Sequence, residues 1–128
     1  MILLDTSILI RYIRTADPKI LGVITANPVA VSVVTRAEIL HGAKNETDFR
    51  RLEGVLNRFV QATVEPDAWD DLSRSLFELR RRGVSVPFPD ALIAAVAIRH
   101  SMDLWTYDNH FKLIQGVLPK LRLFSGPP

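Results

Sequence analysis

MILLDTSILI, residues 1–10, sets one carboxylate between two apolar runs, and its reading decides the fold. Met1 to Leu4 is short and continuously apolar, as a strand covered on both faces would be. SILIRYIR, residues 7–14, reads as the helix that follows. Asp5 stands at the junction, at the carboxyl end of the strand. An ionised carboxylate is almost never buried without a partner, because desolvation costs several kcal/mol or more. Thr6 and Ser7 carry no charge to neutralise it, so whatever Asp5 serves lies elsewhere in the chain.

The same alternation continues. PKILGVITA (18–26) reads as a helix ended near Asn27-Pro28, VAVSVV (29–34) as a β-branched buried strand, and Thr35 as the start of a further helix, RAEILHGA. Phe49, Leu52, Leu56 and Phe59 recur at helical spacing over 46–58. FVQATVE (59–65) predicts a short strand. Pro66 then opens a long helix with Trp69, Leu72, Leu76 and Leu79 on its buried stripe, and RRRG (80–83) closes it with cations at the negative end of the helix. VSVPFP (84–89) is a loop, Pro89 begins the apolar helix DALIAAVAIRHS, and DLWTY and LRLF are the last strands, with a short helical segment around His110 to Leu113 between them. Strands alternating with helices predict an α/β fold: a mostly parallel central sheet flanked by helices on both sides. In such sheets, sites form beyond the carboxyl ends of the strands.

With 128 residues and 48% hydrophobic content, the expectation is one compact domain over 1–128, with a flexible Ser-Gly-Pro-Pro tail at 125–128. There is no cysteine, which excludes disulfides, thiol nucleophiles and cysteine-ligated zinc and fits a reducing cytoplasm. The apolar start lacks a basic leader and is broken by Asp5 and Arg11, so no signal peptide is expected. ALIAAVAI (91–98) is far too short to span a bilayer. The formal charge of +2 does not by itself announce a nucleic-acid partner, but of the 16 basic residues 12 are Arg and 4 are Lys, and Arg suits bidentate phosphate contacts and stacking on bases.

Asp5 follows the first strand, Glu38 falls in the first turn of the helix after the second, Asp90 in the first turn of the helix after the proline loop, and Asp108 after DLWTY. All four project from one edge of the sheet. Each alone has an ordinary role: Thr35-x-x-Glu38 matches a capping box, Asp90 suits a helix N-terminus, and Asp108 suits a turn or cap. Together they do not. Two carboxylates ~4 Å apart repel by roughly 4 kcal/mol at an effective dielectric of ~20, and four compound that cost unless a cation sits between them. Oxygen ligands alone point to Mg²⁺ or Mn²⁺. The chemistry this suits is phosphodiester hydrolysis by water that the ion activates for in-line attack. Thr6, Ser7 and Thr106 are candidate hydrogen-bonding supports, and His41 and His110 lie close enough to Glu38 and Asp108 to be weighed beside them.

LLDTSILI, VVTRAEILHG, PDALIAAVAI and LWTYDNHF resemble, in order and spacing, the motifs of the PIN-domain family, and within it those of the VapC toxins of toxin–antitoxin pairs. The likeness runs through essentially the whole chain. It implies a PIN-like fold and a metal-dependent endoribonuclease that blocks translation by cutting structured RNA, transfer or ribosomal. It also implies a homodimer held inactive by a small VapB-like antitoxin. Carried over residue by residue, the family's acids fall on Asp5, Glu38, Asp90 and Asp108 as metal ligands and catalytic groups, and its supporting hydroxyl on Thr106. Two other readings stand beside this one. A catalytically silent RNA-binding or regulatory PIN-like domain would need no intact acid set. A receiver-type phosphoacceptor domain would want adjacent acids after the first strand, where Thr6 and Ser7 stand, and a Lys after a late strand, whereas Lys120 precedes LRLF.

Overall fold

In a computed structural model, which describes residues 1–127, five parallel strands form one sheet in the order β3-β2-β1-β4-β5. These are β1 (Ile2–Leu4), β2 (Val29–Ser32), β3 (Val60–Ala62), β4 (Asp103–Trp105) and β5 (Arg122–Leu123). Seven helices connect them: α1 (Thr6–Thr15), α2 (Pro18–Ala26), α3 (Val33–His41), α4 (Glu46–Leu56), α5 (Ala68–Arg81), α6 (Phe88–Arg99) and α7 (His110–Val117). The mostly parallel sheet foreseen from the alternation is wholly parallel. Among the described residues, no helix is long and apolar enough to cross a membrane.

β1 is the central strand, and side chains alternate across it. Leu3 points into one core with Ala30, Ala62 and Leu104, against Leu79, Ile93, Ala94, Ala97, Phe111 and Ile114 of the helices on that side. Ile2 and Leu4 point into the other, with Val31 and Trp105, against Ile8, Leu9, Ile20, Leu52 and Leu56. The buried alanines of α6 let that helix approach the sheet closely. Because β1 is covered on both faces, its residues are apolar without alternation, which is the property that made Met1 to Leu4 legible as a strand.

Three local readings are corrected. β2 ends at Ser32, and α3 begins at Val33, two residues before Thr35: the Ser32 hydroxyl accepts the Thr35 amide at 3.0 Å and so caps the helix itself. The capping box expected at Thr35-x-x-Glu38 is therefore absent, and Glu38 lies in the second turn. Trp69 is not on the buried stripe of α5 but 47% exposed, while Leu72 and Leu79 are buried. The first turn of α5 lies at the surface: Asp67 and Asp71, which Arg99 at the end of α6 holds at 2.7 Å and 3.1 Å, are exposed with Trp69, and burial begins only at Leu72. The ending of α5 is as foreseen: Gly83 adopts a φ of 74°, the left-handed conformation that glycine tolerates, and the Val84 amide returns to the Leu79 carbonyl. Near the end of the chain, Gly126 lies against the Trp105 ring, where a Cβ would collide with the indole nitrogen. Pro128, the last residue of the expected tail, lies outside the described residues.

Candidate active site

The sheet register brings the first pieces of the site together. Leu4 pairs with Val31 on one side and Trp105 on the other, so the next residues of three neighbouring strands are Asp5, Ser32 and Thr106, side by side at the carboxyl edge. The Asp5 amide donates to the Trp105 carbonyl at 2.9 Å, which carries the ladder one residue past β1.

Asp5 is 4% exposed and caps α1. Its Oδ2 accepts the Thr106 hydroxyl and the Ser7 hydroxyl, each at 2.7 Å, and the Ser7 amide at 3.4 Å. None of these bonds falls on Oδ1. Three donors fix the carboxylate and offset part of its desolvation without cancelling its charge. Thr106 also accepts the Asp108 amide at 2.9 Å, and Ser7 Oγ accepts the Tyr107 amide at 3.1 Å, so the loop after β4 is tied to the start of α1.

Asp90, in the first turn of α6, and Asp108, before α7, converge on one point with His110. Ligand atoms of these three residues lie within 4.8 Å of one another. His110 Nδ1 is 3.1 Å from Asp108 Oδ1 and 3.2 Å from Asp90 Oδ2. Asp108 also fills the turn role foreseen for it, since its Oδ1 accepts the His110 amide at 2.9 Å. Burial raises the Asp90 carboxyl above the usual carboxylate range. The bond from His110 opposes this, and the charges of Asp108 and Asp5 add to the rise. Asp5 is therefore near enough to repel Asp90, although it lies outside the closest set.

Glu38 stands further along the edge, exposed, its Oε1 accepting the Thr6 hydroxyl at 2.8 Å. Thr6 also reaches the buried Thr35 hydroxyl at 3.1 Å. Thr6, the residue after Asp5, thus ties Glu38 and Thr35 to the start of α1. His41, at the end of α3, is exposed and takes part in none of these bonds. Thr35, taken from its spacing for a cap, and His110, taken for a neighbour of Asp108, are the two residues whose place the pattern alone understates. The signal for His110 was its position two residues after an acid at the start of a helix.

The residues present fit a divalent cation. Asp90 carries an unfavourable charge that a cation would relieve, and among the described residues no Lys or Arg forms an ion pair with Asp5, Asp90 or Asp108. The PIN domain model matches residues 2–117. The chain belongs to the PIN-domain family. Over 119 residues this PIN domain is 33% identical to Ribonuclease VapC51 of Mycobacterium tuberculosis, covering 90% of this chain and 85% of that one. It is 29% identical to Ribonuclease VapC1 of Methanocaldococcus jannaschii, covering 89% and 81%. Its fold is similar to a chain of the DNA-bound VapBC structure from Salmonella typhimurium, with a TM-score of 0.86, 25% identity and 96% of each chain covered.

The strain on Asp90 has a measurable sign. Its folded carboxyl titrates above its unfolded value, so between the two the folded state binds more protons and stability falls as pH rises. Above the raised value the full cost is present, and it is relieved as pH falls toward the unfolded carboxylate range near ~3.9. In metal-free protein, Asp90→Asn is expected to melt above the parent at pH 7. The gap should close as pH is lowered toward 4, and saturating Mg²⁺ or Mn²⁺ should reverse the order. Thermal melts across that range check it, and an Asn variant that melts lower at every pH would show Asp90 to be a structural residue.

Proposed function

We propose that this PIN domain is a VapC-type toxin, a divalent-metal-dependent endoribonuclease that cuts structured RNA, transfer or ribosomal, and so blocks translation in the cytoplasm. The observation that carries the reading is the convergence of Asp90 and Asp108 beside Asp5 at the carboxyl edge of the sheet, with no Lys or Arg paired to them among the described residues, in a chain one third identical to a VapC ribonuclease. Asp5, Glu38, Asp90 and Asp108 would hold Mg²⁺ or Mn²⁺, the ions that carboxylate oxygens suit. The bound ion would supply positive charge at the scissile phosphate and lower the pKa of water for in-line attack. The chain's own residues do the positioning. Ser7 and Thr106 aim the Asp5 carboxylate, Thr6 aims Glu38, and the turn at Asp108 sets the imidazole of His110 against Asp90.

Purified protein freed of any partner is expected to cut folded RNA with Mg²⁺ or Mn²⁺ and to stop in excess chelator. The products should carry 5′-phosphate and 3′-hydroxyl ends, since water and not the ribose 2′-hydroxyl is the nucleophile. Cleavage undiminished by chelator, or cyclic phosphate ends, would refute the mechanism. Binding of folded RNA with no cleavage under any divalent ion would favour the silent RNA-binding alternative.

The same reading includes a homodimer, checked by sedimentation, and a small VapB-like antitoxin. A groove of about 320 Å³ beside Glu38 suits an amphipathic segment of such a partner: Ile10, Ile13, Ile39 and Leu52 give it an apolar floor, and Arg14, Lys44, Asp48 and Arg51 line it as well. α4 forms one side of it through Asp48, Arg51 and Leu52. An Arg or Lys from the partner would then meet the acids in place of the metal. Replacing that basic residue should restore cleavage while binding largely survives, because the apolar contacts carry most of the affinity. A complex that is fully active on RNA would contradict this account of inhibition.

A further inference from the structure

We infer that His110 is a nitrogen ligand of the divalent-ion site and tilts it away from Mg²⁺ toward Mn²⁺ and the later first-row ions. The inference rests on the metal-nuclease reading above and adds to it a ligand of a different chemical kind. His110 Nδ1 lies 3.1 Å from Asp108 Oδ1 and 3.2 Å from Asp90 Oδ2. An octahedral ion with ligands at about 2.1 Å has neighbouring ligand atoms about 3.0 Å apart. The imidazole nitrogen is thus already spaced from each of the two carboxylate oxygens as adjacent corners of such a shell would be.

The ring is held in that relation by the backbone. His110 is the first residue of α7, and its own amide donates to the Asp108 oxygen that Nδ1 faces. The next residue, Phe111, is fully buried and anchors the helix from beneath. Among the described residues no hydrogen bond draws His110 Nε2 elsewhere, so nothing competes for the ring's orientation. An imidazole ligand changes selectivity because Mg²⁺ prefers oxygen, whereas affinity for nitrogen ligands rises along the first-row divalent ions, starting from Mn²⁺. A site of carboxylates alone would discriminate less.

The rival account is that His110 only brackets the two acids through hydrogen bonds and never enters the metal shell. Pulsed EPR of the full-length protein loaded with Mn²⁺ alone separates the two. The expected result is a nitrogen coupling to Mn²⁺ that changes on ¹⁵N-histidine labelling and vanishes in His110→Ala and His110→Gln. In competition titrations, both variants should lose at least about tenfold in Mn²⁺ affinity, on the scale seen when a group supporting a metal site is removed, and less than about threefold in Mg²⁺ affinity. His110 is half-exposed, so both variants should fold, and circular dichroism checks this. Mn²⁺ bound without nitrogen coupling, or a coupling that persists in the variants, overturns this inference and leaves the nuclease reading standing. Mn²⁺ binding that survives Asp90→Asn unchanged overturns the reading of the acid cluster itself, and this inference with it.

Discussion

Asp5→Asn and Asp90→Asn are each expected to lower single-turnover RNA cleavage by about a thousandfold or more, equivalent to about 4 kcal/mol of lost transition-state stabilisation. The two substitutions reach that result from different starting points. Asp5 Oδ2 faces three donors, from Ser7 and Thr106. An Asn side chain keeps those bonds by turning its carbonyl toward them, which leaves its amide where the free carboxylate oxygen stood. An amide nitrogen cannot ligate a hard cation, so the metal site loses a ligand while the fold loses little. Asp90→Asn also removes the charge that burial, Asp108 and Asp5 all oppose, and metal-free stability rises as activity falls. A gain in stability paired with a loss of activity separates a functional carboxylate from a structural one. Cleavage assays beside thermal melts decide it: a variant keeping more than a tenth of the parent's rate is not missing a ligand.

Much of this site could be read before the fold was known, and for one reason. A strand buried on both faces admits no charge, so the first polar residue past each strand marks the carboxyl edge. Asp5 after MILL is legible on that rule alone; Thr106, read within the strand DLWTY, was singled out by the family resemblance, and the register places it beside Asp5. Asp90 was legible because Pro89 and the loop before it mark a helix start. What failed was local. Val33 and Val34 are β-branched and read as strand, yet one hydroxyl, that of Ser32, ends the strand and caps α3. Trp69 has the spacing of a core residue, but the first turn of α5 lies at the surface, and where a helix first meets the core is not recorded in its periodicity. His110 was undervalued for a similar reason. Its neighbour in sequence is Asp108, but its significance comes from Asp90, 20 residues earlier and on another helix.

Phe111→Ala is expected to cost about 3–5 kcal/mol of folding stability, more than any substitution among the acids. Phe111 is fully buried and packs with Leu3, Leu104 and Ile114 beneath α7. Truncation loses the transfer free energy of the ring and leaves a cavity that the neighbouring strands, fixed by their ladders on both sides, cannot collapse to fill. Against a total stability of roughly 5–15 kcal/mol for a domain of this size, that is a large share. Leu113→Ala, two residues along the same helix and exposed, is the control, and its effect should stay within about 0.5 kcal/mol. Urea unfolding of both variants gives the comparison. The consequence reaches the site because α7 begins at His110, whose amide donates to Asp108, so the helix that Phe111 anchors also sets the two groups facing Asp90. At temperatures where Phe111→Ala remains folded, its affinity for Mn²⁺ should therefore fall as well, although Phe111 touches neither acid. If stability drops as expected while metal affinity is unchanged, the loop tied to Asp5 through Thr106 and Ser7 holds the site by itself, and packing under α7 serves the fold alone.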